Sequence, residues 1–165
     1  MIVIADTSPL NYLILLRHVE VLRALYGRVV IPQAVARELR SPRSPELVRG
    51  WIGDAPEWLE VRQVAGTGDA ALARLDDGER EAILLAEEVR ADALILDERA
   101  GRQEAERRKI RVIGTVRVLD DAAEAELLDL PAAIERLQSA GFYLEPRLAK
   151  FLLERHAERE KRKET

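Results

Sequence analysis

Residues 1–13, MIVIADTSPLNYL, place a run of apolar residues directly before an acid, two hydroxyls and a proline. A short β-branched run is typical of a buried strand, and Pro9 followed by Leu10 and Leu13 is typical of the start of a helix. The stretch therefore predicts strand 1 and helix 1. Asp6 is expected at the carboxyl end of that strand.

The same order of strand and helix recurs along the chain. Residues 29–31 form a second apolar run, ended by Pro32 and followed by a helical pattern that contains Glu38. A helix is predicted from Asp76, a strand over residues 93–96, a charged helix over residues 98–109 and a short strand at residues 112–113. Nearly all-apolar strands separated by helices predict an α/β protein, a three-layer α/β/α sandwich with a central, mostly parallel sheet.

The remaining segments are read from composition and periodicity. Residues 41–56, SPRSPELVRGWIGDAP, predict a loop with one short helix at 46–52, and residues 58–64 predict a strand with alternating exposure. Helix 1 is predicted to continue as far as Gly27, and residues 130–165 are predicted helical with a break at Ala140 and Gly141. With 165 residues, 47% of them hydrophobic, we expect a single domain over 1–165, with its core at 1–119 and a helical C-terminal segment at 120–165.

Composition excludes several classes of protein. The chain has no cysteine, which excludes disulfides, thiolate metal sites and thiol catalysis. It lacks the pattern of a signal peptide and any stretch near the ~18 apolar residues that span a bilayer, so we expect a cytoplasmic protein without membrane contact. A net charge of −4 and a pI of 5.4 exclude nucleic-acid binding through overall positive charge. Contacts with phosphate must therefore be local.

Four acidic residues are predicted to converge at one edge of the sheet. Asp6 follows strand 1, Glu38 lies on the helix after strand 2, Glu79 lies near the start of the helix before the next buried strand, and Asp97 ends that strand. In parallel α/β sheets the functional crevice lies outside the carboxyl ends of the strands. We therefore expect these four side chains near that crevice.

Carboxylates brought close together repel, and each then has a raised pKa unless a cation offsets the repulsion. Hard oxygen ligands without histidine or cysteine favour Mg²⁺ or Mn²⁺, which also take ligands from a substrate phosphate. Such an ion can polarise a phosphoryl group and activate water. The pattern therefore indicates a metal site that could assist the attack of water on a phosphoryl group.

Each acid also has a purely structural interpretation. Asp6 could cap helix 1, and Asp97 could cap the helix that begins at Glu98. Glu79 follows Asp76 at the spacing of a capping box, and Glu38 alone could be an ordinary exposed helix residue. The convergence of all four favours the functional interpretation over four separate structural ones.

With these residues established, the chain resembles the PIN-domain family of metal-dependent ribonucleases, in particular its VapC-like branch of the DUF3368 type. The matching pieces stand in order within residues 2–119: IADTSPL, VVIPQAVARELR, LDDGEREAILLAEE, ADALILDERAGRQEAERR and IRVIGTVRVL. The C-terminal SAGFYLEPRLAKFLLE is similar to the end of that branch.

The resemblance implies that Asp6, Glu38, Glu79 and Asp97 are the four metal-binding and catalytic acids, in that order, with Mg or Mn as cofactor. It favours Glu79 over Glu81 as the third acid. The strand ends in LDE, which leaves Glu98 open as an alternative to Asp97.

The resemblance also implies supporting groups, substrate and partners. Thr7 or Ser8 would orient the first carboxylate, and RNA would be cut by activated water without a covalent intermediate. Family members commonly form homodimers, and those that are toxins of VapBC-type systems are inhibited by a small antitoxin protein.

A local excess of positive charge is compatible with an RNA substrate. Six basic residues against three acids lie between residues 98 and 111. Arg99 and Arg102 follow the last acid closely enough to meet a phosphate, whereas the others could form a solvated helix face.

Other nucleotide-binding classes fit poorly, because the turn after strand 1 has no glycine and the chain has no P-loop sequence. The main alternative is a non-catalytic PIN fold that binds RNA or a partner protein.

Overall fold

The structure is a computed structural model that describes all residues, 1–165. Its centre is one sheet of five strands in the order β3-β2-β1-β4-β5, and every neighbouring pair is parallel. The strands are β1 Ile2–Ala5, β2 Arg28–Pro32, β3 Leu59–Arg62, β4 Ala93–Ile95 and β5 Val112–Ile113. The predicted parallel α/β fold is therefore confirmed.

The strand order reverses direction at β1. The chain runs from β1 outward to β2 and β3, then returns to place β4 on the other side of β1, where Ala5 pairs with Ile95. The carboxyl ends of β1 and β4 are consequently adjacent, and connections leave them toward opposite faces of the sheet. Such a topological switch point forms a crevice that commonly binds ligands.

Nine α-helices connect or follow the strands, and none of them is both long and apolar enough to cross a membrane. They are α1 Thr7–Leu15, α2 Val21–Tyr26, α3 Gln33–Arg40, α4 Glu46–Gly53, α5 Asp77–Glu88, α6 Arg99–Arg107, α7 Thr115–Glu124, α8 Leu130–Ser139 and α9 Pro146–Lys163. A 3₁₀ helix, Leu72–Arg74, precedes α5.

Both faces of the sheet are buried. On one face, side chains from three strands pack with α5, α6 and the 3₁₀ helix around Ile4, Val30 and Leu94. Side chains alternate along a strand, so Val3 and Val29 point to the opposite face, on the side of α1, α3 and α4. These strand residues are at most 1% exposed, which explains why the sequence shows continuous apolar runs rather than alternation.

Helix 1 is shorter than predicted. It ends at Leu15, and α2 begins separately at Val21. Arg17 adopts a positive φ of 60°, and the backbone N–H of His18 donates to the carbonyl of Leu13. This six-residue closure ends a helix through a left-handed residue, a geometry for which glycine is the usual sequence signal. Because Arg17 is not a glycine, the sequence did not indicate that the helix ends here.

The third strand is also shorter than predicted, covering Leu59–Arg62 rather than residues 58–64. It is an edge strand that pairs only with β2. Its burial falls from Leu59 to the exposed Val61 and Arg62. The partly exposed pattern of the sequence therefore reflects its position at the edge.

The chain divides into two compact units, residues 1–115 and 116–165. The first contains the whole sheet, and the second contains most of α7 with α8 and α9. The organisation of 1–165 as one domain with a core at 1–119 stays a prediction.

A buried ion-pair cluster holds the second unit together. The side chain of Asp120 on α7 is 2% exposed, and its two carboxylate oxygens lie 2.7 Å from Arg159 Nη2 and 3.2 Å from Arg155 Nη2. Both arginines belong to α9, so one buried carboxylate ties the C-terminal helix to α7.

We expect Asp120→Asn to destabilise the protein by about 3 kcal/mol, because it leaves two arginines without their buried counter-charge. Asp121→Asn is the matched control, since its partner Arg117 is more than half exposed and such pairs contribute about 0–1 kcal/mol. Urea unfolding followed by circular dichroism measures both changes. Equal destabilisation by the two variants would contradict this role for Asp120.

Candidate active site

Asp6 is a buried carboxylate at the switch point. Its backbone N–H donates to the carbonyl of Ile95 at 3.0 Å, which fixes it beside the end of β4. It occupies the N-cap position of α1, but its side chain makes no capping hydrogen bond. The residue is 5% exposed, and Oδ1 is buried without any hydrogen-bond partner. Capping therefore does not explain this acid.

Glu38 is fixed from two sides. It projects from α3 and accepts hydrogen bonds from the Thr7 hydroxyl and from the backbone N–H of Gly78, the latter at 3.2 Å. A Cβ atom on Gly78 would lie 2.8 Å from the Glu38 carboxylate. Glycine at this position therefore allows the start of α5 to approach the side chain.

Glu79 lies in the first turn of α5, which begins after the N-cap residue Asp76. The Asp76 carboxylate accepts the backbone N–H of Glu79 at 2.8 Å. Glu79 is 7% exposed, although it is an acid. The capping spacing in the sequence is thus satisfied by Asp76, and the Glu79 side chain remains near the other carboxylates.

The electrostatics of this edge are those of a repulsive anionic cluster. Burial, with smaller contributions from the charges of Asp76, Glu79 and Glu38, raises the pKa of Asp6 to about 7. Burial likewise raises the pKa of Glu79 to about 7, with further contributions from Asp76 and Glu98. Charges on α3 and at the start of α5 therefore act on Asp6 at the end of β1, and the charges of Asp76 and Glu98 act on Glu79.

Asp76 is the member of this cluster that sequence reasoning missed. Its position in the sequence predicts only a cap of α5, yet its charge adds to the effect of burial in raising the pKa of both Asp6 and Glu79. The run LDDGE contained a usable signal, because an N-cap residue lies in space beside the first turn of its own helix.

Asp97 has a different environment from the other three predicted acids. Its two carboxylate oxygens accept the Thr115 backbone N–H at 2.8 Å and the Thr115 hydroxyl at 2.5 Å. Burial raises the pKa of Asp97 above its ordinary value, and these bonds and the nearby Arg102 offset part of that rise. Asp97 thus accepts a hydrogen bond from the first N–H of α7. The capping interpretation had instead predicted a bond to the start of α6.

Glu98, the open alternative, is exposed at the N-cap position of α6 and makes no capping hydrogen bond. Its charge acts on Glu79. Glu81 instead accepts the backbone N–H of Ala34 at 3.1 Å and lies 3.6 Å from Arg37. Glu81 therefore anchors α3 to α5 and is not part of the anionic cluster.

The remaining predicted residues occupy the margin of this edge. Thr7 bonds Glu38, whereas Ser8 is exposed. Arg102 Nη1 donates to the Leu96 carbonyl at 3.1 Å, and Arg99 is exposed in the first turn of α6.

The donor set fits a hard divalent cation in its chemistry, although the side chains are not arranged as a ligand shell. No three acidic or histidine side chains converge on a common ligating point. The buried, unpartnered Oδ1 of Asp6 and the mutual repulsion of the cluster are nevertheless what a cation would relieve.

The doubly wound parallel sheet with acids at its switch point defines an α/β protein with an anionic edge site. The family model described as "DUF3368: PIN domain" matches residues 2–158. The chain therefore belongs to the PIN-domain family. PIN domains are typically nucleases and generally use divalent metals.

A solved structure shares this fold. It is that of a PilT N-terminus domain protein from the hyperthermophilic archaeon Sulfolobus solfataricus P2, similar with a TM-score of 0.50 and 17% identity. The similarity covers 88% of this chain and 98% of that one. No curated protein matches the chain significantly in sequence.

The raised pKa of Asp6 makes stability depend on pH. Between its ordinary value of 3.8 and about 7, the folded protein holds a proton that the unfolded chain has released. Stability contributed by this proton is lost as pH rises through that window. We expect the melting temperature of metal-free wild type to fall, relative to that of Asp6→Asn, between pH 4 and pH 7.

Thermal melts in a chelating buffer measure this difference. At pH 7.5, millimolar Mn²⁺ should then raise the melting temperature of wild type more than that of Asp6→Asn, because a bound cation stabilises the ionised cluster. If the melting temperatures of wild type and Asp6→Asn changed in parallel with pH and rose equally with Mn²⁺, an uncompensated charge at Asp6 would be ruled out.

Proposed function

We propose that this protein is a metal-dependent endoribonuclease that hydrolyses RNA phosphodiester bonds at the anionic cluster of the switch point. The observation that supports it most is the buried Asp6 carboxylate, whose Oδ1 has no partner and whose pKa is raised to about 7. A protein stabilised only by packing gains nothing from such a group, since burying an unpaired charge is costly. Strongly perturbed carboxyls in a crevice are typical of functional sites.

Asp6, Glu38 and Glu79 would hold Mg²⁺ or Mn²⁺ in this proposal. The cation would neutralise the cluster, polarise the scissile phosphate and increase the acidity of water. Thr7 and the Gly78 N–H orient the Glu38 carboxylate, so this acid is held in place before substrate binds. Asp76 adds a further negative charge beside Asp6 and Glu79.

For the fourth acid we propose Glu98 rather than Asp97. Both oxygens of Asp97 are occupied by Thr115, whereas Glu98 is exposed and its charge already acts on Glu79. Asp97 would then position the end of β4 against the start of α7, and Glu98 would face the cation.

The function is tested by RNA cleavage with Mn²⁺ or Mg²⁺ on single-stranded and structured RNAs. We expect Asp6→Asn to lower the cleavage rate by more than about 100-fold, since even outer-shell partners of a metal site contribute 10–100-fold. Glu81→Gln is the matched control, because this acid of α5 bonds Ala34 outside the cluster. It should retain activity.

Equal cleavage by wild type and Asp6→Asn would mean that the activity is not at this site. An absence of cleavage together with RNA binding would instead support the alternative, a non-catalytic PIN module. The observation in favour of that alternative is that no three acidic side chains form a ligand set as positioned.

The fourth-acid assignment has its own test. We expect Glu98→Gln to lose cleavage with little change in melting temperature, because the side chain is exposed. Asp97→Asn should lower the melting temperature, because it weakens the two hydrogen bonds with Thr115. Cleavage rates and melts of both variants separate the roles. Retained activity in Glu98→Gln with loss in a well-folded Asp97→Asn would restore Asp97 as the fourth acid.

The biological setting follows from the resemblance to VapC-like proteins. We propose that the nuclease acts in the cytoplasm as the toxin of a VapBC-type pair, as a homodimer inhibited by a small antitoxin. A short open reading frame directly upstream of its gene, encoding a protein that suppresses cleavage, is the supporting observation to seek.

A further inference from the structure

A concave surface lies between the 3₁₀ helix Leu72–Arg74 and α6. This groove has a volume of about 390 Å³. Its apolar lining is formed by Ala71, Leu75 and Ala100, and its polar lining by Arg74, Gln103, Glu104 and Arg107. We call it the α6 groove.

The α6 groove begins at the proposed active site. Leu75 directly precedes Asp76, whose charge acts on Asp6 and Glu79. Ala100 lies two residues after Glu98, whose charge also acts on Glu79. The lining of the groove is therefore contiguous in the chain with two acids whose charges act on Glu79.

The arginines of the α6 groove present an ordered positive edge. Arg74 is exposed. Arg107 is held by Glu104, which accepts from its Nε at 3.0 Å and its Nη2 at 2.6 Å, so Nη1 lies outside this fork. Arg99 is exposed in the first turn of α6, between Glu98 and the groove-lining Ala100 in the sequence.

Both walls of the α6 groove are tied to each other by Arg108. Its guanidinium donates to Glu104 on α6, to Glu87 on α5 and to Asp69. Asp69 in turn accepts the backbone N–H groups of Ala71 and Leu72, the start of the 3₁₀ helix. The groove is thereby held open before any ligand arrives, which lowers the entropic cost of binding.

We propose that the α6 groove binds the backbone of single-stranded RNA next to the scissile bond, an inference that rests on the proposed nuclease function. Arginine guanidinium groups at the rim match phosphate oxygens, and the small apolar floor matches sugar and base faces. Gln103 offers an amide to a sugar hydroxyl or a base edge. Arg74 and Arg107 are the phosphate-binding residues of this surface.

The test measures binding without cleavage. In the Asp6→Asn background, a fluorescein-labelled single-stranded RNA of about 12 nucleotides is titrated in chelating buffer at several salt concentrations, and its anisotropy gives Kd. Arg74→Ala and Arg107→Ala are compared with Arg23→Ala, an exposed helix arginine beside Gly27 and Arg28 at the amino ends of the strands. Thermal melts establish that each variant is folded.

We expect Arg74→Ala and Arg107→Ala each to weaken binding about 10-fold, the effect of losing a charge-assisted hydrogen bond. The slope of log K against log salt should fall by about 0.7 for each lost phosphate contact. Arg23→Ala should change neither quantity. Arg74→Glu should weaken binding further. Because Arg74 is exposed, we expect this variant to fold normally.

Binding and slope in Arg74→Ala equal to those of Arg23→Ala would overturn the α6 groove as an RNA site. If the wild-type protein still cleaved RNA in that case, the nuclease function would stand and only the assignment of the α6 groove would be wrong. If the protein neither cleaved nor bound any RNA, both proposals would fall. The preference for a single strand would be overturned if a duplex of the same sequence bound equally well and the arginine variants lowered its slope of log K against log salt by the same amount.

Discussion

The structure depends on one costly feature, the burial of the Asp6 carboxylate at the end of β1 with no positive group to balance it. The residue is 5% exposed and one of its oxygens has no hydrogen-bond partner. Strand pairing imposes this position, because Ala5 pairs with Ile95 and the next backbone N–H bonds the Ile95 carbonyl. The fold thus places a charge where neither solvent nor protein can compensate it fully.

The surrounding residues do not neutralise the buried Asp6 carboxylate. Glu38 is held by Thr7 and by the N–H of Gly78, while Glu79 is placed by the cap of its own helix. Arginines nearby are engaged with other groups: Arg37 lies near Glu81, and Arg80 pairs with Asp77. Burial, with contributions from the charges of neighbouring acids, consequently raises the pKa of Asp6 and of Glu79 to about 7, and a nearby cation would lower both.

Much of this arrangement could be predicted from the sequence. Continuous apolar runs required a sheet buried on both faces, and acids directly after such runs had to lie at its carboxyl edge. Asp6 directly follows such a run, whereas Glu38 and Glu79 lie on helices that follow or precede strands, and their placement near Asp6 was predicted from the order of these elements. The position of Asp6 beside the end of β4 follows from topology, since β1 and β4 are adjacent in the sheet although 87 residues separate the last residue of one from the first of the other.

Features that depend on side-chain direction could not be predicted. Asp97 and Glu98 are adjacent in sequence, yet the first bonds Thr115 and the second acts on Glu79, a difference set by backbone conformation after β4. The break at Arg17 requires a left-handed residue that the sequence did not mark with glycine. The two walls of the α6 groove are likewise joined by a contact between Asp69 and Arg108, which lie 39 residues apart.

The most direct measurement is a crystal structure of the protein soaked in Mn²⁺, with anomalous diffraction data collected above the manganese absorption edge. We expect an anomalous peak at the edge of β1 and β4, about 2.1 Å from a carboxylate oxygen of Asp6. A well-ordered Asp6 with no peak beside it at saturating Mn²⁺ would contradict the account.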